Sequence, residues 1–367
     1  MPRLPLLDPS AAYRPCIQDL LAEGPEAQAY WLDLFEAHLE TLGDLPANGR
    51  RCREDPRWPT FAEDYLFGLA RLRRQPDLRG QLNVLELTRY REERFAAHGF
   101  IDPFAELKQR ENAIALAALP DVLQELDGLP SRTRNLRLVE GVLAGNLFDM
   151  GAKAAIEAVA RHSTAHSGSR DAVGGGKGLD FAALRDRLRP RPWAVDDLDA
   201  WLTRCDGSGP FYRQALYFVD NSGPDIVLGG LPLARELLRR GTRVVLAANH
   251  RPALNDVTAA ELRGLLNDCC RLDQDLSTAW QSGRLAVVDS GGDAPLIDLS
   301  EVTPECCAAA AESDLLLLEG MGRAIESNYD ARFTVDTIKL ALIKDKMVAR
   351  VLGIRLFDAV FRFEPAR

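Results

Sequence analysis

The chain has 367 residues, 46% of them hydrophobic and 27% charged, enough to bury a large core in two domains or in one with an appendage. Its net charge of -9 argues against a general nucleic-acid surface, which needs a basic face, but not against a local site for a small phosphorylated metabolite. No apolar run is long enough to span a bilayer, and the start, MPRLPLLDPS, has no continuous apolar stretch of the signal-peptide kind.

Seven cysteines occur without a C-x-x-C pair, and the vicinal pairs Cys269–Cys270 and Cys306–Cys307 suit neither a disulfide nor a zinc site. Reduced thiols in a cytoplasmic protein are the expectation.

The first half reads as helices. In AQAYWLDLFEAHLETLG, residues Tyr30, Trp31, Leu34, Phe35, His38 and Leu39 recur at helical spacing, and Gly43 ends the run. TFAEDYLFGLARLRRQ, LNVLELTRYREERFAAHG, PFAELKQRENAIALAALPDVLQEL and TRNLRLVEGVLAGNLFDMGAKAAIEAVARH repeat the pattern. Residues 163–178, STAHSGSRDAVGGGKG, fail the P-loop pattern because Gly178 follows Lys177 and a helix precedes them, so a flexible surface loop is expected. RPRPWAVDDLDAWLTRC marks a crossing into the second half.

From about Gln214, short apolar runs alternate with helical ones. QALYFVD, TRVVLAAN, GRLAVVDSGG and DLLLLEGMG are strand-like, each followed by a helical stretch, and IRLFDAVFRF closes the chain. TVDTIKLALIKDKMVARVLG reads as the helix after the fourth strand. This alternation predicts a three-layer α/β/α core with a mostly parallel, Rossmann-like sheet over 201–367, preceded by an α-helical domain over 1–200.

Ligands of such sheets bind beyond the carboxyl ends of the strands. The expected tips carry Asp220 and Asn221; Asn249, Asn255 and Asp256; Asp289, Ser290, Gly291 and Gly292; and Glu319 to Arg323. If the first two strands are neighbours, Asp220, Asn221 and Asp256 form an open set of hard oxygens suited to Mg²⁺ or Mn²⁺. Taken singly, each is equally a helix cap or a turn residue.

In EGMGR, Gly320 and Gly322 flank Met321 and permit close backbone approach, Arg323 can fork onto a phosphate, and Glu319 can order a water or pair with Arg323. Lys339, on the expected helix, is a candidate second cation for the phosphate. Amides at the turn formed by Ser222 and Gly223 are candidates for the phosphoryl oxygens. GNLFDMG offers Asn146 and Asp149 on one helix face, and RENAIAL offers Arg110, Glu111 and Asn112, as walls of the same crevice.

FVDNSGPDIVLGGLPLARELLRRGT, NDVT and EGMGR closely resemble the DUF89 damage-control phosphatases, subfamily II, named for its EGMGR motif. That subfamily includes stand-alone plant 4'-phosphopantetheine phosphatases and the C-terminal domain of animal pantothenate kinase 4. AGNLFDMG, RPWAVDDL, GGDAPLIDLS and ESNYDARF extend the likeness from about residue 60 to the end, with HSGSRDAVGGGKG as an unusual insertion.

The resemblance implies a helical domain joined to an α/β/α domain. It implies a divalent ion, Mn²⁺, Co²⁺, Ni²⁺ or Mg²⁺, on Asp220, Asn221 and Asp256, and a role of Glu319 to Arg323 in activity and substrate choice. It implies hydrolysis of 4'-phosphopantetheine and its oxidised forms, such as the sulfonate, in a damage-control role in coenzyme A metabolism. Attack by a metal-activated water is preferred to direct attack by Asp220, because a metal ligand is a poor free nucleophile. Homo-oligomerisation is left open.

Other small phosphometabolites, such as sugar phosphates, are the alternative substrates. A methyltransferase using S-adenosylmethionine is a rival class, but it would typically show G-x-G where this chain has Asp-Asn-Ser-Gly. A non-catalytic binding protein would not need all three candidate ligands.

Overall fold

The computed structural model describes residues 1–147, 179–207 and 211–366. Asp149 and the glycine-rich segment 163–178 lie outside the described residues. Six helices lead the chain: α1 (Leu20–Glu23), α2 (Pro25–Gly43), α3 (Trp58–Arg74), α4 (Val84–Ala97), α5 (Ala105–Asp127) and α6 (Ser131–Leu147). Their starts follow local chemistry. Asp19 and Asn83 accept hydrogen bonds from the free amides of α1 and α4, and prolines occupy the first turns of α2 and α3. Between α2 and α3 lies a hairpin of β1 (Pro46–Ala47) and β2 (Arg50–Arg51). Its turn, Asn48-Gly49, has φ of 53° and 73°, the paired positive values that a tight two-residue turn requires.

The second half builds the sheet. It contains β3 (Val195–Asp196), β4 (Gln214–Phe218), β5 (Arg243–Ala248), β6 (Leu285–Asp289), β7 (Leu315–Glu319), β8 (Asp336–Leu342) and β9 (Ala359–Glu364), ordered β3-β9-β8-β7-β4-β5-β6. Strands β4 to β8 are mutually parallel, and β9 runs antiparallel to β8. The chain steps outward from β4 to β5 and β6, then returns to place β7 on the other side of β4. Its direction of travel therefore reverses between β4 and β7, the position at which open α/β sheets form their ligand crevice.

Side chains alternate across the sheet. Ala215, Tyr217 and Val219 pack on one face with Leu119 of α5 and Val142 of α6. Leu216 and Phe218 pack on the other with Trp31, Phe61 and Leu87 of α2, α3 and α4. Helices from the first half thus cover both faces, and both apolar clusters run across the boundary expected at residue 200. α6 approaches the turn after β4 very closely, since a Cβ on Gly145 would lie 2.7 Å from Asp225 Cα. That contact carries Asn146 into the centre of the molecule.

One expected element is corrected. The run around Lys339 is not a helix but strand β8, paired with β7 on one side and β9 on the other. It is buried on both faces, so its apolar residues are continuous, and periodicity alone does not separate such a strand from a buried helix. A separate helix, Lys346–Leu352, follows it.

The Lys339 ammonium is engaged away from Asp220 and Asp256. Its Nζ donates to the carbonyls of Tyr329 (2.8 Å) and Ala331 (2.6 Å) and pairs with Glu364 (2.9 Å). Burial pulls its ammonium down to about 8, with Glu364 opposing. Lys339→Met leaves those acceptors without their donor. It should cost about 2–4 kcal/mol in urea unfolding, with KM for a phosphorylated substrate unchanged in the folded fraction. A rise in KM without loss of stability would restore Lys339 to the crevice.

Candidate active site

β4 and β5 are neighbours, with Phe218 opposite Ala247. The segments that follow the two strands meet in the opposite sense. Val257 N–H donates to Asp220 O at 3.0 Å and Ser222 N–H to Asn255 O at 2.9 Å, so Asn221 and Asp256 face each other across an antiparallel bridge. Neither aspartate caps a helix. The helix Ala259–Leu272 is capped by Thr258, whose Oγ1 accepts from Glu261 N–H at 3.2 Å. The cap alternative therefore falls for Asp256, and its carboxylate serves the crevice.

Arg323 stands between the two acids. Its Nη2 donates to Asp256 Oδ2 at 2.8 Å and its Nη1 donates to Asp220 Oδ1. All three side chains are almost sealed from solvent, at 7% exposure for Asp220, 2% for Asp256 and 1% for Arg323. Asp220 Oδ2 accepts from Asn221 Nδ2 at 2.9 Å and from Asn146 Nδ2 at 3.0 Å. Asn249 Nδ2 reaches Asp256 Oδ2 at 3.0 Å.

The EGMGR segment meets this pair through its backbone as well. Gly320 has φ +90°, and a Cβ there would overlap the Asp220 carboxylate. Only glycine allows that backbone conformation and that approach together. The next residues, Met321–Glu326, form a wide turn in which Ser327 N–H bonds back to Gly322 O at 3.0 Å. Such i→i+5 turns recur at functional sites. Asp225–Gly230 forms a second one after β4.

Further acids lie behind the first pair. Asp225 Oδ2 accepts from the Asn221 amide (3.1 Å) and from its Nδ2 (2.8 Å). Tyr217 OH donates to Glu319 Oε2 at 2.5 Å. Burial pushes Asp225 up to about 6, aided by the Asp220 charge, and pushes Asp256 up to about 7, with Arg323 opposing. Burial and the Asp225 charge hold Glu319 well above the usual carboxylate range, against its bond from Tyr217. Burial also disfavours the Arg323 charge, but Asp256 and Asp220 outweigh it and leave the guanidinium above its ordinary value. This centre holds more negative charge than one arginine comfortably meets.

That surplus decides whether a divalent cation fits. Among the described residues, no three His, Cys, Asp or Glu side chains gather into a metal cluster. The available set is two carboxylates and the Asn221 amide, hard-oxygen donors at the tip of β4 and in the loop after β5. Ser222 Oγ and Asn249 Oδ1, both buried, find no hydrogen-bond partner among the described residues and add oxygen donors on the same two segments. The donor chemistry fits a hard divalent ion.

The amides proposed for the phosphate are already engaged. Ser222 N–H bonds Asn255 O, and Gly223 N–H bonds Asn112 Oδ1 at 2.7 Å. Asn112 therefore does line the turn from α5. Lys344, just past β8, is a cation near this centre, with its Nζ donating to Asn146 O at 2.9 Å and its charge acting on Asp225.

Comparison with known proteins resolves the family. The damage-control phosphatase ARMT1-like domain matches residues 49–360. The chain belongs to that family. It is 40% identical over 389 residues to pantothenate kinase 2 of Arabidopsis thaliana, covering 98% of this chain but only 41% of that protein. It is 38% identical over 342 residues to a damage-control phosphatase of the same plant, covering 91% and 87% of the two chains. It is 34% identical over 410 residues to 4'-phosphopantetheine phosphatase of Mus musculus, covering 98% of this chain and 48% of that one. A DUF89 family protein from Pyrococcus horikoshii shares the fold, with a TM-score of 0.62, 15% identity and coverage of 92% and 97%.

Asp220, Asn221, Asp256, Glu319, Gly320, Arg323 and Asn146, chosen from the sequence, converge in this family's α/β core. Met321 Sδ lies 3.3 Å from the Lys344 amide. Four neighbours escaped the sequence reading of the centre. Tyr217 looked like one more apolar strand residue, Asp225 like the start of a helix, Lys344 like part of an expected helix, and Asn249 was noticed only as a tip residue. Gly320→Ala tests the closest contact. The added methyl meets Asp220 and strains φ, so phosphatase activity should fall at least ~100-fold, as misplacement of about 1 Å can cost, while circular dichroism keeps its helical signal. Retention of near-full activity would show that Asp220 is not fixed by this approach.

Proposed function

We propose that this chain is a metal-dependent phosphomonoester hydrolase acting on 4'-phosphopantetheine and its oxidised derivatives, with Mn²⁺, Co²⁺, Ni²⁺ or Mg²⁺ as its ion. The observation that carries this reading is that Asp220, at the tip of β4, and Asp256, in the loop after β5, are sealed from solvent and share one guanidinium. The mouse relative named 4'-phosphopantetheine phosphatase and the plant damage-control phosphatase support the substrate class.

Asp220, Asn221 and Asp256 would hold the ion. When bound, it supplies Lewis-acid stabilisation of the charge on the phosphoryl oxygens. Arg323 at the two acids and Lys344 beside Asn146 and Asp225 bring positive charge suited to a dianionic phosphate. Asn146 and Asn221 orient Asp220 through its Oδ2.

Asp220 Oδ2 accepts from Asn146 and Asn221, the carboxylate lies against Gly320, and the ion that Asp220 would hold takes up its charge, which makes this residue a poor free nucleophile. Water is the expected nucleophile. Burial and the Asp225 charge favour the neutral form of Glu319, which Tyr217 bonds, and so limit the negative charge of the second acid layer.

Phosphate release from 4'-phosphopantetheine, its sulfonate and glucose 6-phosphate checks this reading. The first two should be hydrolysed, EDTA should abolish turnover and added Mn²⁺ or Co²⁺ should restore it. Asp220→Ala and Asp256→Ala should each lower kcat by roughly 10³-fold or more in folded protein, the scale of losing an electrostatic catalytic group. Turnover insensitive to EDTA, or either variant at near-full activity, would overturn it.

A further inference from the structure

Arg323 satisfies the two acids before any metal does. Its guanidinium bonds Asp220 Oδ1 and Asp256 Oδ2, and Asn146 and Asn221 occupy Asp220 Oδ2. Asp220 therefore has no oxygen free of a donor. Nor can its carboxylate swing aside, because Gly320 Cα packs directly against it. Asp256 is likewise fixed by Asn249 and by the bridge to Asn221.

A cation taking Asp220 Oδ1, Asp220 Oδ2 or Asp256 Oδ2 meets an oxygen that already accepts from a donor and competes with it. Asn146 and Asn221 are held elsewhere as well. Asn221 is bridged to Asp256 and bonded to Asp225, and Asn146 accepts from the Leu342 amide and sits on a packed helix. Arg323 is the donor with a long side chain, and its backbone is pinned independently, its carbonyl accepting from Asn328 Nδ2 at 2.8 Å. The side chain can leave while the turn stays in place. Electrostatics point the same way, since a divalent ion and a guanidinium repel strongly over a few ångströms in a dry site.

We propose that Arg323 is the resident counter-ion of the metal-free centre, and that a divalent cation displaces it from the Asp220–Asp256 pair. Released, the guanidinium becomes available to a phosphate, so metal binding and phosphate capture are coupled through one side chain. In the metal-free protein the same arginine keeps two buried carboxylates from facing each other uncompensated. This inference rests on the proposed metal site at Asp220, Asn221 and Asp256.

The test reads binding rather than turnover. Mn²⁺ is titrated into wild type, Arg323→Gln and Arg323→Lys by calorimetry, and each metal-free protein is melted in EDTA. Removing the competing guanidinium should tighten Mn²⁺ by at least about tenfold in Arg323→Gln, the scale of one charge-assisted hydrogen bond. It should lower the metal-free melting temperature. Arg323→Lys, which can serve only one acid at a time, should fall between the two and guards against a folding failure.

Inorganic phosphate should bind wild type only when Mn²⁺ is present, and should bind Mn²⁺-loaded Arg323→Gln at least about tenfold more weakly. Mn²⁺ binding by wild type with unchanged or weaker affinity in both variants would overturn the exchange and leave the metal site standing. Absence of Mn²⁺ binding to wild type would instead overturn the metal reading itself.

Discussion

Two carboxylates held on one guanidinium, away from water, are the constraint around which this protein is arranged. Like charges in a dry place repel, and each pays for lost hydration. Asp220 and Asp256 nevertheless sit together because backbone hydrogen bonds beyond the ends of β4 and β5 lock Asn221 against Asp256. Arg323 then bridges both. The asparagines around them turn their amide nitrogens inward, as a centre short of positive charge demands.

The sheet order makes that arrangement reachable. β4 lies between β5, whose following loop brings Asp256, and β7, which delivers Gly320 and Arg323. Three chain segments drawn from a span of 103 residues therefore end within hydrogen-bond distance of one another. α6 closes the fourth side through Gly145 and Asn146. Because helices of the first half pack on both sheet faces, the helical and α/β parts share their apolar clusters, and the site depends on both.

Much of this was legible in the sequence, for identifiable reasons. Strands β4, β5, β6 and β7 end in polar or glycine residues that interrupt nearly unbroken apolar runs, so the tips Asp220, Asp256 and Glu319–Arg323 stood out before any pairing was known. Glycine at 320 and 322 announced close approach. What the sequence hid was partnership. Tyr217 hides in an apolar run because its hydroxyl is visible only once β7 lies beside it with Glu319 two residues on. Lys339 is expected at the crevice and Lys344 passed over because a strand buried on both faces has no period that separates it from a buried helix. Thr258, rather than Asp256, caps its helix, a choice that one Glu at 261 settles by completing the capping box.

The most direct test is the position of the ion. A crystal grown with Mn²⁺ and measured near the manganese absorption edge should give an anomalous difference peak bounded by Asp220, Asn221 and Asp256, with metal–oxygen distances of about 2.0–2.3 Å. A strong peak elsewhere in the molecule, with none at these three residues, would contradict the account.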